Sequence, residues 1–312
     1  MKEFYLNYYP KFSCIARDCK HTCCAGWEIQ IDEKSIDRYN LINSDFSKRL
    51  KEGIDYKKLQ FKRDKNKRCA FLNSNGLCDL ITNLGEESLC QVCRDHPRFR
   101  SFFSDRTEVG LGFCCEQATR IILSFNDKIQ PILNFQGQGE FELTFVEKSL
   151  LQFREGVLSI IQDRSLSIQE IVDKLLQEHN LELDENHFDK AVKRFLSFER
   201  LDKGWTEKLK QIRKSKTPFN FLEKYHQIFE NFLANEVYRH ISNAEDVSEA
   251  QIILVGILLS AKIVSAMINY KEQEDSATFE DIVEIIRQYS SEVEYSERNL
   301  KKLFKFSSKV LK

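Results

Sequence analysis

A mainly α-helical fold is predicted, in which an irregular cysteine-rich N-terminal module with short β-hairpins precedes a helical C-terminal half. Three observations predict it. All ten cysteines of the 312-residue chain fall in the first 115 positions and none in the remaining 197. From about residue 140 onward there is one proline, Pro218, and three glycines, Gly156, Gly204 and Gly256, so few breakers interrupt a helix. Apolar residues there recur at three- and four-residue spacing, as in Phe221, Tyr225, Ile228, Phe229, Phe232 and Leu233. By composition the chain divides into residues 1–125 and 140–312.

In the N-terminal part, WEIQID (Trp27–Asp32) alternates apolar and polar residues, which predicts a short half-buried strand. SIDRYNLI, from Ser35 to Ile42, predicts a brief helix. In CAFLNSNGLCDL the Asn75-Gly76 pair is a tight-turn signal that folds Cys78 back toward the chain just after Cys69. RFRSFFSDRTEVGLGF predicts a second hairpin, with strands near Phe99–Phe103 and Val109–Phe113. Its base would gather Cys90, Cys93 and Cys115.

In the C-terminal part, helices are expected near 144–162, 168–179, 185–200, 205–214, 218–241, 247–270, 279–293 and 297–309. Ser167 with Glu170, Thr278 with Asp281, and Ser296 mark helix starts through side chains that accept from the first-turn N–H groups. Thr217 followed by Pro218 reads as an N-cap with proline at the first helical position.

The formal net charge of −1 gives no general attraction to nucleic acid, and no nucleic-acid partner is expected. MKEFYLNYYPKFSC lacks the apolar core and cleavage site of a secretory signal. The longest apolar run, Gln251–Ile268, is broken by Lys262 and is short for a bilayer span, so it reads as a buried core helix. A cytoplasmic protein without a transmembrane span is therefore expected.

In a reducing compartment a dense set of cysteines points to metal binding or thiol chemistry rather than disulfides. Cysteines serving only as small core fillers would scatter through both halves. CIARDCKHTCC supplies Cys14, Cys19, Cys23 and Cys24; a second group is Cys69, Cys78, Cys90, Cys93, Cys114 and Cys115. Thiolates three to five positions apart on a loop can face one centre, as tetrahedral zinc or an iron–sulfur cluster requires. Only His21 and His96 lie nearby, so the donor set is essentially all sulfur, and spacing leaves iron–sulfur and zinc both open. The N-terminal part thus reads as a metal-binding module.

KKLQFKRDKNKR (Lys57–Arg68) carries seven basic residues and one acid, a solvated loop or a surface for an acidic partner. RDHPRFR gathers Arg94, Arg98 and Arg100 beside Cys93. Asn231, Asn235 and Arg239 share a helix face, as a structural polar stripe or as a ligand-binding one. No dinucleotide fingerprint, Walker A sequence, HExxH or GxSxG is present.

The ordered set of FSCIARDCKHTCCAGWEIQID, CAFLNSNGLCDL, LGEESLCQVCRDHPR and CCEQATR, with ENFLANEVYRHI further on, resembles the flagellin lysine-N-methylase family and its cysteine-rich zinc- or iron-chelating relatives. The resemblance implies methyl transfer from S-adenosylmethionine to lysine side chains of a protein, flagellin in the family's name, with a [4Fe-4S] cluster held by cysteines. It carries a ligand role to Cys14, Cys19, Cys23, Cys24, Cys69, Cys78, Cys90, Cys93 and Cys115, and leaves Cys114, at a place where serine is expected, as the weakest ligand. It leaves the cofactor-binding residues unassigned; Asn231, Asn235 and Arg239 are the candidates read from the helix face. The competing reading is a non-catalytic iron–sulfur or zinc protein serving electron transfer, metal handling or interaction.

Overall fold

A computed structural model describes residues 1–139, 141–215 and 219–311. In chain order the elements are β1 (Lys2–Leu6), α1 (Glu33–Leu41), α2 (Ser47–Glu52), β2 (Ile54–Asp55), β3 (Gln60–Phe61), α3 (Asp79–Leu84), α4 (Gln91–Asp95), β4 (Arg98–Phe102), β5 (Arg106–Leu111), α5 (Glu116–Leu123) and β6 (Pro131–Gln136). Helices then dominate: α6 (Phe145–Ile161), α7 (Ile168–Glu178), α8 (His187–Leu196), α9 (Lys203–Ser215), α10 (His226–His240), α11 (Val247–Glu274), α12 (Phe279–Tyr289) and α13 (Glu297–Val310). The protein is mainly α-helical.

Two compact units result, one of Met1–Phe12 with Phe99–Lys312 and one of Ser13–Arg98. The sequence expectation divided the chain at 125 and 140 instead. The difference arises from α5, which packs against α10 and α12, and from β1, which pairs in parallel with β5 (Tyr5↔Val109) and antiparallel with β6 (Leu6↔Pro131) and so carries the first residues into the helical unit. The sheet order is β4-β5-β1-β6. Neither β1 nor β6 was expected from the sequence, because a pairing across about a hundred residues leaves no local signal.

In the helical unit, α11 is apolar on every side, the pattern of a helix enclosed by others. It packs against α6, α8, α9, α10, α12 and α13, and its most apolar window is 89% buried. The predicted capping boxes form at Ser167/Glu170 and Thr278/Asp281, and Ser296 caps α13 by accepting from Asn299 N. A further box, Thr144/Glu147, starts α6. The helix expected over 218–241 is corrected: α10 begins at His226, after a 3₁₀ turn over Glu223–Tyr225. The Thr217-Pro218 start lies outside the described residues.

The Ser13–Arg98 unit has a small core of Ile29, Ile31, Tyr39, Leu50, Ile54, Phe61, Phe71 and Leu80, completed by Cys69 and Cys90. Trp27–Asp32 forms no strand: Gln30 makes a single bridge to Gln60, flanked by Ile31 N donating to Leu59 O at 2.7 Å. The alternation was nonetheless informative, since Ile29 and Ile31 point inward, each 3% exposed. SIDRYNLI lies in α1 up to Leu41, with Ile42 as its C-cap, and the N-cap Asp32 accepts from Ser35 N at 2.9 Å.

Candidate functional site

Backbone pairing within Ser13–Arg98 gathers cysteines that are distant in sequence. The Cys69 N–H donates to the Cys24 carbonyl at 2.8 Å, and bridges form at Ala25↔Arg68 and Arg63↔Cys69. The Asn75-Gly76 turn forms as its chemistry predicts. Asn73 Oδ1 accepts from the N–H groups of Asn75 and Leu77, and Gly76 takes the left-handed conformation at φ +74°. Leu72 then bridges Cys78. Cys90 precedes the first residue of α4 and Cys93 follows within its first turn, so both sulfurs start from one short helix.

The thiols interact directly. Cys24 contacts both Cys23 and Cys78, and Cys90 contacts Cys93. Contact with Cys23, followed by burial, pushes the Cys24 thiol up to about 12; burial pushes Cys69 up to about 11. Contact with Cys24 raises Cys78, and contact between Cys90 and Cys93 raises Cys93 and lowers Cys90. Thiols packed against one another in a dry environment stay protonated until a cation arrives; coordination then replaces those protons.

Such an all-sulfur set fits a thiophilic metal or cluster. Among the described residues, no three cysteine sulfurs lie within 4.8 Å of one another. A single tetrahedral zinc, with zinc–sulfur bonds near 2.3 Å, holds its sulfurs about 3.8 Å apart. A cubane cluster, which binds each thiolate through a different iron, spreads them wider. An all-sulfur donor set serves either group. These contacts join Cys23, Cys69 and Cys78 to Cys24 and, separately, Cys90 to Cys93, which also feels the charge of Cys23 and Cys24. Cys14 is exposed and Cys19 half-buried beside the 3₁₀ turn Ala16–Asp18. Cys114 and Cys115 belong to the helical unit, where Cys115 is the N-cap position of α5.

The basic run Lys57–Arg68 borders an open hollow of about 350 Å³ lined by Asp55, Gln60, Lys62, Arg63, Asp64 and Lys67. Arg63 is paired with Glu28 at 2.7 Å. In RDHPRFR, Arg98 Nη1 donates to the Arg94 carbonyl at 2.8 Å.

The stripe Asn231, Asn235, Arg239 lies on α10 and is buried. Asn231 Nδ2 donates to the carbonyls of Ile122 and Phe125, both at 2.8 Å, which holds the end of α5. Asn235 Nδ2 donates to Leu111 O at 3.1 Å, while its Oδ1 accepts from the Tyr8 hydroxyl. Both amides are committed to backbone and to the sheet. Arg239 stacks over Tyr295 at 4.5 Å and faces Glu294 at 3.2 Å.

Sequence reasoning passed over the neighbours of that stripe. Glu236 and His240 sit one turn apart on α10, and Glu294 meets them at the end of a π-helical turn, Ser290–Glu294. Burial and the facing Glu294 carboxylate drive Glu236 well above the usual carboxylate range; against the same burial, Arg239 and His240 hold Glu294 down at about 2. The E-x-x-x-H spacing was visible in ENFLANEVYRHI. Its third member was not, since Glu294 lies 54 positions beyond His240.

A family model described as the FliB lysine N-methylase C-terminal domain matches residues 100–310. A lysine-N-methylase of Salmonella typhimurium is 24% identical over 140 residues, 41% of this chain and 34% of that protein. A lysine-N-methylase of Salmonella choleraesuis is 25% identical over 126 residues, covering 37% and 31%. The flagellar biosynthetic protein FliU of Salmonella muenchen is 25% identical over 128 residues, covering 37% and 73%. The matched stretch thus spans about a third of the two lysine-N-methylases. No solved structure matches. With the family's domain covering the whole helical part, this chain belongs to the FliB lysine N-methylase family.

Proposed function

We propose that the chain is a protein-lysine N-methyltransferase that moves a methyl group from S-adenosylmethionine to lysine side chains, with a [4Fe-4S] cluster held by cysteines of Ser13–Arg98. The observation that carries the reading is the family's domain across 100–310 in a chain that also holds a contacting set of thiols. In the transfer the lysine nitrogen lone pair attacks the methyl carbon, the carbon–sulfur bond breaks and S-adenosylhomocysteine leaves. The nitrogen gives up its proton to a base. Flagellin is the proposed acceptor, from the flagellar name of one relative and the family the motifs resemble.

When bound, an iron–sulfur cluster supplies a redox-active, charged centre and a cross-link between distant chain segments. Cys23, Cys24, Cys69, Cys78, Cys90 and Cys93 are the proposed holders, with Cys14 and Cys19 as further donors on the exposed loop. Cys69 and Cys90 double as core residues, 6% and 0% exposed, so their sulfurs are fixed by packing before any metal binds.

The second reading, a non-catalytic metal protein, is favoured by the position of the thiols in a compact unit outside the family-matched residues. One experiment separates the two. Anaerobically purified protein is incubated with methyl-labelled S-adenosylmethionine and with flagellin or total cell protein, and iron and labile sulfide are assayed in parallel. Methyl-lysine in the acceptor with iron and sulfide in the enzyme is the expected result. Iron without methyl transfer to any acceptor leaves the second reading standing, and stoichiometric zinc without iron overturns the cluster.

A further inference from the structure

Glu236, His240 and Glu294 converge inside the helical unit, with side chains 1%, 7% and 0% exposed. Their nearest ligand atoms all lie within 4.8 Å of one another. His240 Nε2 is 3.0 Å from Glu294 Oε1 and 3.7 Å from Glu236 Oε2. Glu236 Oε1 and Glu294 Oε2 are buried and meet no hydrogen-bond donor. Glu294 arrives through a π-helical turn, an irregularity that is frequent at functional sites.

We propose that Glu236, His240 and Glu294 form a second metal site, separate from the cysteines, that takes one divalent first-row ion such as manganese, iron(II) or zinc. Two carboxylates and an imidazole are hard-to-borderline donors suited to those ions. Metal–ligand bonds near 2.1 Å place ligand atoms about 3.0 Å apart at octahedral and about 3.4 Å apart at tetrahedral angles. The separations of 3.0 and 3.7 Å bracket those values. Outer groups are present as well. The Tyr289 hydroxyl donates to Glu236 Oε2 at 3.2 Å, and Arg239 Nη1 lies 3.2 Å from Glu294 Oε1. Such partners orient carboxylate ligands. Arg239 balances one carboxylate, and the remaining negative charge is met by a cation or, in the rival account, by one proton shared between the two carboxyls.

Manganese separates the accounts, because thiolates bind it poorly and the cysteines of Ser13–Arg98 do not compete. Full-length protein is expressed in manganese-supplemented medium, desalted, and assayed for bound manganese by elemental analysis and electron paramagnetic resonance. The wild type is expected to retain close to one manganese per chain. Glu236→Gln mimics the protonated acid in size and hydrogen bonding but is a poor ligand, so it is expected to fold, by circular dichroism, and to lose at least about tenfold in bound manganese. Should that variant misfold, His240→Gln serves in its place. A wild type that retains no manganese, or equal manganese in wild type and a folded variant, overturns the site and leaves the shared proton as the account of the cluster.

Discussion

The Cys69 N–H donates to the Cys24 carbonyl at 2.8 Å, and this one bond joins the two cysteine groups across 45 positions of chain. The backbone around the thiols is therefore arranged by ordinary pairing and turn chemistry. Yet the elements doing so are short: β2 and β3 have two residues each, and α3 and α4 have six and five. Helices and hairpins of that length are marginal alone.

Metal removal is accordingly predicted to act on one unit. Structural thiolate–metal sites contribute on the order of 10 kcal/mol to folding, which a core of about ten side chains does not replace. Limited proteolysis after anaerobic chelation should cut within Ser13–Arg98, while fragments of 99–311 persist and keep their helical circular dichroism. Equal protection of both units after metal removal contradicts this.

Asn235 is predicted to be a stability residue first. It accepts from Tyr8, donates to Leu111, and is 0% exposed. Asn235→Ala strips a partner from two buried groups, at about 1–3 kcal/mol each. Denaturant unfolding should show a lower midpoint with an unchanged slope. A variant of unchanged stability that weakens S-adenosylmethionine binding would return the residue to the cofactor role read from the sequence.

Much of the helical unit was legible in the sequence, and the reasons are local. Ser167, Thr278 and Ser296 announce their helices because an N-cap acts on N–H groups two or three residues away. The Asn75-Gly76 turn was legible for the same reason. What stayed hidden depends on distance along the chain: β1 finding β5, Asn231 holding the end of α5, Glu294 returning to His240. The cysteines were legible as a group by composition, but their connection through Cys24, Cys78 and Cys69 needed the fold. The polar stripe on α10 was seen correctly as one face; that its asparagines bond to backbone carbonyls was one of the two readings left open.

Arg154 and Glu108 form a buried ion pair at 2.7 Å, each side chain 3% exposed, with Arg154 Nη1 also donating to Ser242. Removing only the cation should be costly. Arg154→Met leaves the Glu108 carboxylate buried without its partner, a loss of about 3–5 kcal/mol. Replacing both, with Met at 154 and Leu at 108, should recover most of it. Chemical denaturation of the single and double variants checks this; a double variant no better than the single argues against charge burial as the cause.

Acid should weaken the start of α12. The Thr278 hydroxyl and N–H donate to Asp281 Oδ2 at 2.6 and 3.0 Å and hold its carboxyl below the usual range. A depressed carboxyl stabilises above its unfolded pKa of about 3.9 and loses that contribution as pH falls through the folded value. The stability gap between wild type and Asp281→Asn should thus be largest at neutral pH and close below about pH 4. Thermal melts across that range measure it, and a gap that does not change with pH removes the carboxylate from the explanation.

The last prediction joins the thiols to the proposed chemistry. Cys23 is exposed and Cys19 half-buried, so neither is a core residue like Cys69 or Cys90. Serine is close to cysteine in size and a poor ligand for iron, so Cys19→Ser and Cys23→Ser remove a donor while disturbing packing little. Folding, followed by the helical circular dichroism of 99–311, should be retained. Iron content should fall, and methyl transfer to lysine should fall with it by at least about a hundredfold if the cluster takes part in the reaction. Cys114→Ser is the control, since the resemblance expects serine there, and it should keep both iron and activity. Variants that lose iron, stay folded and still methylate at the wild-type rate would make the cluster a cross-link for Ser13–Arg98 and nothing more, and would leave the chemistry to the helical domain alone.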